Sequence, residues 1–242
     1  GNDKYALKLV KTFYQKFVKV VVPVSSLEVA EMTKVLENTF RLVNISFINE
    51  MATFTNIIGI DIWEVISAAS TKPYGFLAHY PGPGAGGECI PVLPYYLLES
   101  AKKQKVNLKL TEAATKVNEL RPRKVAEKAI SLINGKINPK ALIVGIAYKP
   151  EIADTRHSPA LKIWKNLEEN GVSVSYHDPY VPWINGSKST KLTAKILKEQ
   201  DLIIIATHHK KIDYHYLVKS KKPLIDTRNV LSKYKLDNII RL

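Results

Sequence analysis

The sequence predicts an α/β protein in which an all-helical unit precedes a parallel-sheet unit. Residues 27–58 contain neither Gly nor Pro and repeat apolar residues at the 3.6-residue period of one long amphipathic helix. After residue 135, apolar runs of buried-strand type alternate with helical segments, which is the pattern of βαβ units. We therefore place the helical unit at residues 25–134 and the sheet unit at residues 135–242.

Composition narrows the class of protein. The net charge of +14 is spread along the chain, and 45% of residues are apolar. A polyanion, either nucleic acid or a small phosphate ligand, or simply a lysine-rich surface would account for this charge. No RNA-binding aromatic motif or zinc-ligand spacing occurs, so we disfavour nucleic acid and assign no metal ligand.

The apolar runs are too short to span a membrane, and no signal peptide is recognisable. A single cysteine fits a reducing compartment, so we expect a cytoplasmic protein.

The chain begins with a segment that has no sheet of its own. Tyr5, Leu9 and Phe13 form a helical apolar stripe, and residues 19–24 (KVVVPV) predict a strand. A lone helix and strand suggest the end of a preceding domain. We therefore expect residues 1–24 to be the remnant of an N-terminal domain.

The helical unit is predicted element by element. Ser25 stands at capping-box spacing from Glu28 and is the predicted N-cap of the long helix. Gly59 ends that helix, and Asp61 can cap a shorter helix that runs to residue 70. A loop dense in Gly and Pro follows at residues 72–94. Helices are predicted again at residues 95–103 and 110–134.

The sheet unit is predicted to have four strands, at residues 140–147, 172–177, 202–207 and 224–226, with helices at 159–171 and 191–199. Ligands of parallel sheets bind at the carboxyl ends of the strands. The turn after the first strand contains only Gly145, whereas a dinucleotide fingerprint requires G-x-G-x-x-G. The unit is thus Rossmann-like without the pyrophosphate fingerprint.

Basic residues follow the first strand. Lys149 and Arg156 lie close to the start of the helix that begins at Pro159, so they could form an anion site. An ordinary solvated loop explains the same residues.

The glycine-rich loop contains the only cysteine. Gly84, Gly86 and Gly87 would let the backbone approach a ligand closely, and Cys89 follows them. A cysteine near a helix start can be a nucleophile, although a lone cysteine is also commonly an inert buried residue.

One face of the long helix is polar. Lys34 and Asn38 are four residues apart, and Arg41 continues the same face. A cation beside an amide could hold a sugar hydroxyl, and a solvated helix face is the alternative.

These three features occur together in one family. The segments AEMTKVLENTFRLVNISFINEMA (30–52), GPGAGGECIPV (82–92) and GIAYKPEIADTRHSPAL (145–161) resemble the nucleotide-sugar 6-dehydrogenases. They are most similar to the subgroup that oxidises UDP-N-acetylmannosamine, and HDPYV (177–181) and IDTRNVL (225–231) fit the same family. The resemblance covers essentially the whole chain.

The resemblance implies a domain arrangement. Members have an N-terminal NAD-binding domain, a central helical domain for dimerisation and a C-terminal Rossmann-like domain that binds UDP. Only the last two match this chain, so we expect a UDP-sugar ligand, a homodimer formed through the long helix, and NAD as a cofactor whose main domain is missing here.

The resemblance also implies site residues. The sugar C6 alcohol would be oxidised to a carboxylate, with Cys89 attacking the intermediate aldehyde and Lys34 and Asn38 stabilising the oxygen. The implied substrate-binding residues are Gly82, Gly84, Gly86, Gly87, Lys149, Asp154, Arg156 and, with less support, Arg228.

Two positions depart from the family. Leu93 stands where members have an aspartate that helps to activate water, and leucine can neither accept a proton nor bind water. Glu88 replaces the usual His or Tyr and adds a negative charge next to the thiol, which opposes thiolate formation. In the family reaction, loss of a second hydride converts the Cys89 adduct into a thioester that water hydrolyses, and both changes predict that this hydrolysis is weakened. The leading hypothesis is the substrate-binding part of a UDP-sugar 6-dehydrogenase that is inactive alone, and the alternative is a non-catalytic UDP-sugar-binding or dimerisation module.

Overall fold

The computed structural model describes residue 1 and residues 3–242, and it confirms the predicted fold class. A first helix, α1 (Lys4–Tyr14), precedes the helical unit, which consists of α2 (Leu27–Ile57), α3 (Ile62–Ala69), α4 (Leu93–Lys103) and α5 (Lys109–Leu132). Within the described part of the chain, no helix combines the length and apolar character that crossing a membrane requires.

The sheet unit follows α5. Its strands are β1 (Lys140–Val144), β2 (Ser173–His177), β3 (Trp183–Ile184), β4 (Ser187–Lys188), β5 (Leu202–Ile205), β6 (Leu224–Asp226) and β7 (Ile239–Arg241). Its helices are α6 (Pro159–Glu169), α7 (Ala194–Glu199) and α8 (Tyr214–Lys219).

Five of these strands form one parallel sheet in the order β2-β1-β5-β6-β7. Val144 lies opposite both His177 and Ile205, and Ile205 lies opposite Asp226. The carboxyl ends of these four strands therefore meet at one edge. Strand β5, at the centre of the sheet, is apolar throughout and every one of its residues is buried, as expected where both faces of a sheet are covered.

Helix α5 connects the two units. Near its start, the Ser46 hydroxyl of α2 donates a 2.7 Å hydrogen bond to the Ala114 carbonyl. Near its end, Val125 and Ala129 are fully buried in the same apolar cluster as Ile143 of the sheet. One helix thus fixes how the glycine-rich loop of the helical unit faces the sheet.

Some sequence predictions were wrong in detail. Residues 19–24 do not form a strand, because no neighbouring strand is available for pairing in the described structure, and Val20 and Val22 are exposed. Ser26 rather than Ser25 caps α2, through a 3.3 Å hydrogen bond from the Val29 amide. The sequence reading also missed β3, β4, α8 and β7.

Candidate functional site

A cleft of about 490 Å³ lies where the glycine-rich loop faces the strand ends of the sheet. It brings together all but one of the residues predicted from the sequence. They are Lys34, Asn38, Gly82, Gly84, Gly86, Gly87, Cys89, Lys149, Arg156 and Arg228. Asp154 is the predicted residue that does not line it. Arg41, Tyr80, Glu88, Tyr148 and His208 also contribute to the wall.

Two glycines of the loop are required by the close contact between the loop and the sheet unit. A methyl group on Gly86 or Gly87 would lie 2.8 Å from the side chain of Tyr148, which is too close for any real contact. The Gly87 amide donates a 3.0 Å hydrogen bond to the Arg156 carbonyl. The close approach that the sequence indicates is therefore an approach of the loop to the turn after β1.

Side chains from two helices hold the backbone of this loop. Asn49 of α2 accepts the Gly82 amide at 2.9 Å, and Arg121 of α5 donates through Nε to the Gly82 carbonyl at 2.9 Å. Asn118 accepts the Ala85 amide at 2.7 Å. The sequence reading missed these three polar residues, because polar residues on a helix give no sign of which backbone groups they bind.

Arg121 is an unusual buried cation. It is 5% exposed, its Nη1 donates to the Thr53 hydroxyl at 3.1 Å, and no carboxylate in the described structure pairs with it. Burial lowers the pKa of Arg121 to about 10, so the guanidinium stays charged at neutral pH. Through its hydrogen bond to the Gly82 carbonyl, this cation fixes the start of the loop.

Cys89 is exposed at the end of the loop, four residues before the start of α4. Its carbonyl accepts the Leu93 amide at 3.0 Å. The neighbouring Glu88 carboxylate lies 3.7 Å from Nη1 of Arg156 and 4.0 Å from Nε2 of His157. The negative charge that the sequence places beside the thiol therefore has a cationic partner, Arg156, in the sheet unit.

The polar face of α2 forms the opposite wall. Glu37 bridges Lys34 and Arg41, with N···O distances of 3.3 and 3.0 Å. Asn38 is 2% exposed, and within the described part of the chain its Nδ2 has no hydrogen-bond partner. A buried amide donor without a partner is uncommon and is costly unless a ligand or water satisfies it. Asn38 thus supplies a free donor to the cleft.

Asp154 does not line the cleft but binds Arg156, which does. Both of its carboxylate oxygens accept from Nε of Arg156 at 3.0 Å. These hydrogen bonds lower the pKa of Asp154 to about 2 and raise the pKa of Arg156. Asp154 therefore orients the Arg156 guanidinium toward the cleft.

Arg228 approaches the cleft from the carboxyl end of β6. Its Nε donates to the Ala206 carbonyl at 2.8 Å, and a methyl group on Gly82 would meet Nη1 at 2.8 Å. Burial lowers the pKa of Arg228 to about 10, which leaves it cationic at neutral pH. Arg228 is therefore well placed as an anion-binding residue.

The turn after β1 does not fit a dinucleotide. The amides of Ile146 and Ala147, which would face a pyrophosphate there, donate to Oδ2 of Asp178 at 2.7 and 3.1 Å. A methyl group on Gly145 would lie 1.9 Å from the Thr207 carbonyl oxygen, so this glycine serves strand packing. A ligand of the described sheet would therefore be bound by its cationic side chains and not by the amides of this turn.

Fold and site together define a two-domain protein with a basic cleft between a helical domain and a Rossmann-like domain. The helical domain matches the central-domain model of the UDP-glucose/GDP-mannose dehydrogenase family over residues 28–120. The sheet matches the UDP binding domain model of the same family over residues 142–233. The chain belongs to this family.

Relatives with related names match along the chain. The UDP-N-acetyl-D-mannosamine dehydrogenases of Pyrococcus horikoshii and Methanococcus maripaludis strain C7 are 35% and 33% identical, over 100% and 96% of this chain. The solved UDP-D-ManNAc dehydrogenase of P. horikoshii superposes with a TM-score of 0.84, covering 98% of this chain and 57% of that one. The chain spans 55–58% of the length of these two curated relatives.

Proposed function

We propose that this chain is the substrate-binding part of an NAD-dependent UDP-sugar 6-dehydrogenase that takes UDP-N-acetylmannosamine or a similar UDP-sugar. The observation that carries the proposal is the convergence of Cys89, Lys34 and Asn38 with four further cations in one cleft. The names of the relatives support the choice of sugar nucleotide.

The charges of the cleft suggest how the ligand lies. Lys149, Arg156 and Arg228 line the side made by the sheet, where they would neutralise the diphosphate. Lys34 and Asn38 line the side made by α2 and would contact the oxygen on the reacting carbon. Both donors would stabilise negative charge on that oxygen.

Cys89 would act as the nucleophile toward a sugar aldehyde. Its sulfur forms a bond to the aldehyde carbon while the carbonyl oxygen takes up the thiol proton, and a thiohemiacetal results. Covalent capture retains a reactive aldehyde in the site. Cys89 is suited to this step because it is exposed to the cleft on a loop that two helices hold.

The hydride acceptor must bind elsewhere. Asp178 occupies the amides of the turn after β1, so the described sheet does not fit NAD at that turn. NAD, when bound, accepts hydride. We propose that the chain alone does not reduce NAD.

A non-catalytic module that binds a UDP-sugar or mediates dimerisation is the second candidate. Leu93 favours it, because a leucine at the start of α4 cannot activate water. The retention of Cys89 beside Lys34 and Asn38 favours the enzyme.

Thermal unfolding with ligands tests the binding function. We would titrate UDP, UDP-N-acetylmannosamine, UDP-glucose and NAD in parallel. A ligand at 100 times its Kd adds about 2.7 kcal/mol to the free energy of unfolding. Stabilisation by the UDP compounds and not by NAD is expected, and no shift with any UDP compound would refute the proposal.

Covalent capture separates the two candidates. The C6 aldehyde of UDP-N-acetylmannosamine is incubated with the chain, reduced thiol is assayed, and adducts are measured by mass spectrometry. We expect the UDP aldehyde to protect Cys89 from a thiol-alkylating reagent. The Cys89→Ser variant should form no adduct with the aldehyde. If the aldehyde binds but leaves Cys89 freely alkylated, the module is the better description.

We further propose that the protein is a homodimer. The outer face of α2 carries exposed apolar side chains that include Leu36, Phe40, Phe47 and Phe54. Their positions fall on one stripe of the helix. A second copy of the chain would cover this stripe.

A further inference from the structure

The loop after β5 places a titratable side chain among the cations of the cleft. His208 lines the same cavity as Lys149, Arg156 and Arg228. It is the only imidazole among the described residues of that wall. Imidazole is the side chain whose ordinary pKa lies near neutral pH, so this wall can change its charge in the neutral range.

The surroundings of His208 favour its neutral form before a ligand binds. Loss of hydration in the wall lowers the pKa of His208, and the charges of Arg228 and His209 lower it further. Glu151 and Asp226 act in the opposite direction with less effect. The other ionisable groups that face the cavity are Lys34, Arg41, Tyr80, Glu88, Cys89, Tyr148, Lys149 and Arg156. Cations predominate among them, so they too favour the neutral form of His208 before a ligand binds.

A bound diphosphate reverses this balance. Its negative charges neutralise the arginines and lysines, and an anion within about 4–6 Å favours the charged form of an imidazole. We propose that His208 takes up a proton when the diphosphate of a UDP-sugar binds, so that the affinity for the UDP-sugar rises as pH falls. This inference rests on the proposed function of the cleft.

The direction in which affinity changes with pH follows from proton linkage. The complex binds more protons than the free protein wherever His208 is charged in the complex and neutral without ligand. In that pH window, affinity increases by at most about tenfold for each unit that the pH falls. Below the window His208 is already protonated in the free protein, and the dependence disappears.

Isothermal titration calorimetry measures the proton directly. UDP-glucose or UDP-N-acetylmannosamine is titrated at pH 6.5 and 7.5 in two buffers whose enthalpies of ionisation differ widely. A UDP-sugar is used because the terminal phosphate of free UDP would itself titrate near pH 6. We expect a buffer-dependent binding enthalpy that corresponds to net proton uptake, and a weaker affinity at the higher pH.

Matched variants assign the proton to its residue. His208→Gln should abolish the uptake and flatten the dependence of affinity on pH, whereas His215→Gln, on α8 and outside the cavity, should leave both unchanged. Binding without proton uptake, or uptake that persists in His208→Gln, would overturn this inference while leaving the proposed function intact. No binding of either UDP-sugar would overturn both.

Discussion

At the residue scale, Asn38 shows how this cleft is prepared for a ligand. Asn38 is 2% exposed, and its Nδ2 donor has no partner among the residues that the structure describes. A buried donor of this kind reduces stability, and such unfavourable groups concentrate at functional sites. The amide is thus best explained by an acceptor on the ligand.

Replacing Asn38 with leucine should separate stability from binding. In Asn38→Leu we expect the free energy of unfolding to be unchanged or higher, because an unsatisfied donor is replaced by an apolar group of similar size. The affinity for UDP-N-acetylmannosamine should fall by about tenfold or more, equivalent to one hydrogen bond of about 1.4 kcal/mol. Urea unfolding and calorimetry measure the two effects.

A second leucine variant provides the control. Thr39, also on α2, is 7% exposed and lies outside the cleft, so Thr39→Leu should leave affinity unchanged. If Asn38→Leu binds as tightly as wild type, the amide has no role in ligand recognition.

The residues of the site differ in how far the sequence could reveal them. Cys89, Lys34 and Arg156 could be predicted because they are a nucleophile and two cations that lie within recognisable sequence motifs. Asn49, Asn118 and Arg121 could not, because their role depends on which loop passes the helix. Asp154 was placed near the site, yet its contact with the neighbouring arginine directs it away from the cleft.

At the scale of elements, the glycine-rich loop is fitted between two domains. Gly87 has a φ of +86° and no room for a Cβ beside Tyr148. Gly59 has a φ of +74°, but a Cβ added there would have no heavy atom of a described, non-adjacent residue within 4 Å. The two glycines therefore share a backbone conformation and differ in surroundings. Comparing substitutions at these two glycines separates the cost of the left-handed backbone conformation from the cost of the lost contact with Tyr148.

The two alanine variants should behave differently. Gly59→Ala and Gly87→Ala should each lose roughly 1–2 kcal/mol of stability for the left-handed conformation. Gly87→Ala should lose more, and its affinity for a UDP-sugar should drop by about tenfold or more because the loop must move away from Tyr148. Thermal unfolding and calorimetry test this, and equal affinities in both variants would show that the loop contact does not position the site.

A buried carboxylate joins the three loops that follow β1, β2 and β5. Oδ2 of Asp178 accepts from Ile146, Ala147 and Nε2 of His209, and Oδ1 accepts the amides of Tyr180 and Val181. Burial alone would raise the pKa of Asp178, but the hydrogen bonds from His209 and the backbone outweigh it, so the pKa is lowered. Asp178 thereby anchors the turn that carries Lys149.

Asp178 should make stability depend on acid pH. Because its folded pKa is below the unfolded value near 3.9, its contribution is complete above that value and is lost as pH falls through the folded pKa. Asp178→Asn should destabilise the protein by roughly 3 kcal/mol at pH 7, since donors would then face an amide. The difference from wild type should shrink below about pH 4.

Urea unfolding at pH 7 and at pH 3 measures this difference. Asp201→Asn is the control, because Asp201 is at the opposite end of the sheet and accepts one amide, that of Lys140, at 3.0 Å. If the difference in free energy of unfolding between wild type and Asp178→Asn stayed constant with pH, ionised Asp178 would not be the stabilising group.

The long and strongly periodic elements were predictable, and the short ones were not. Helix α2 was found within two residues at each end because 31 residues keep one period. The pairs β3–β4 and the edge strand β7 have only two or three residues each, which is too few for a period to show. Residues 19–24 have the composition of a strand, but a strand requires a partner that composition does not supply.

At the scale of the whole molecule, the described residues of α1 and α2 leave apolar surfaces uncovered. Tyr5, Leu9 and Phe13 of α1 are exposed, as is the stripe on α2 defined above. A contiguous apolar surface of this kind marks an interaction site in a soluble protein. The stripe on α2 runs along a helix of 31 residues, which provides a long surface for a symmetric helix pair.

The assembly can be tested by sedimentation equilibrium. We expect the wild-type chain to be a dimer at micromolar concentration and Phe47→Glu to be a monomer, because the variant would bury a carboxylate against the apolar stripe of the partner. Ile137→Glu is the matched control: Ile137 is 90% exposed and lies outside α2, so its variant should remain a dimer. A monomeric wild type, or a dimeric Phe47→Glu, would exclude α2 as the dimer contact. Because Lys34, Asn38 and Arg41 lie on the same helix as Phe47, a dimer through α2 would hold the cleft wall of each protomer rigid.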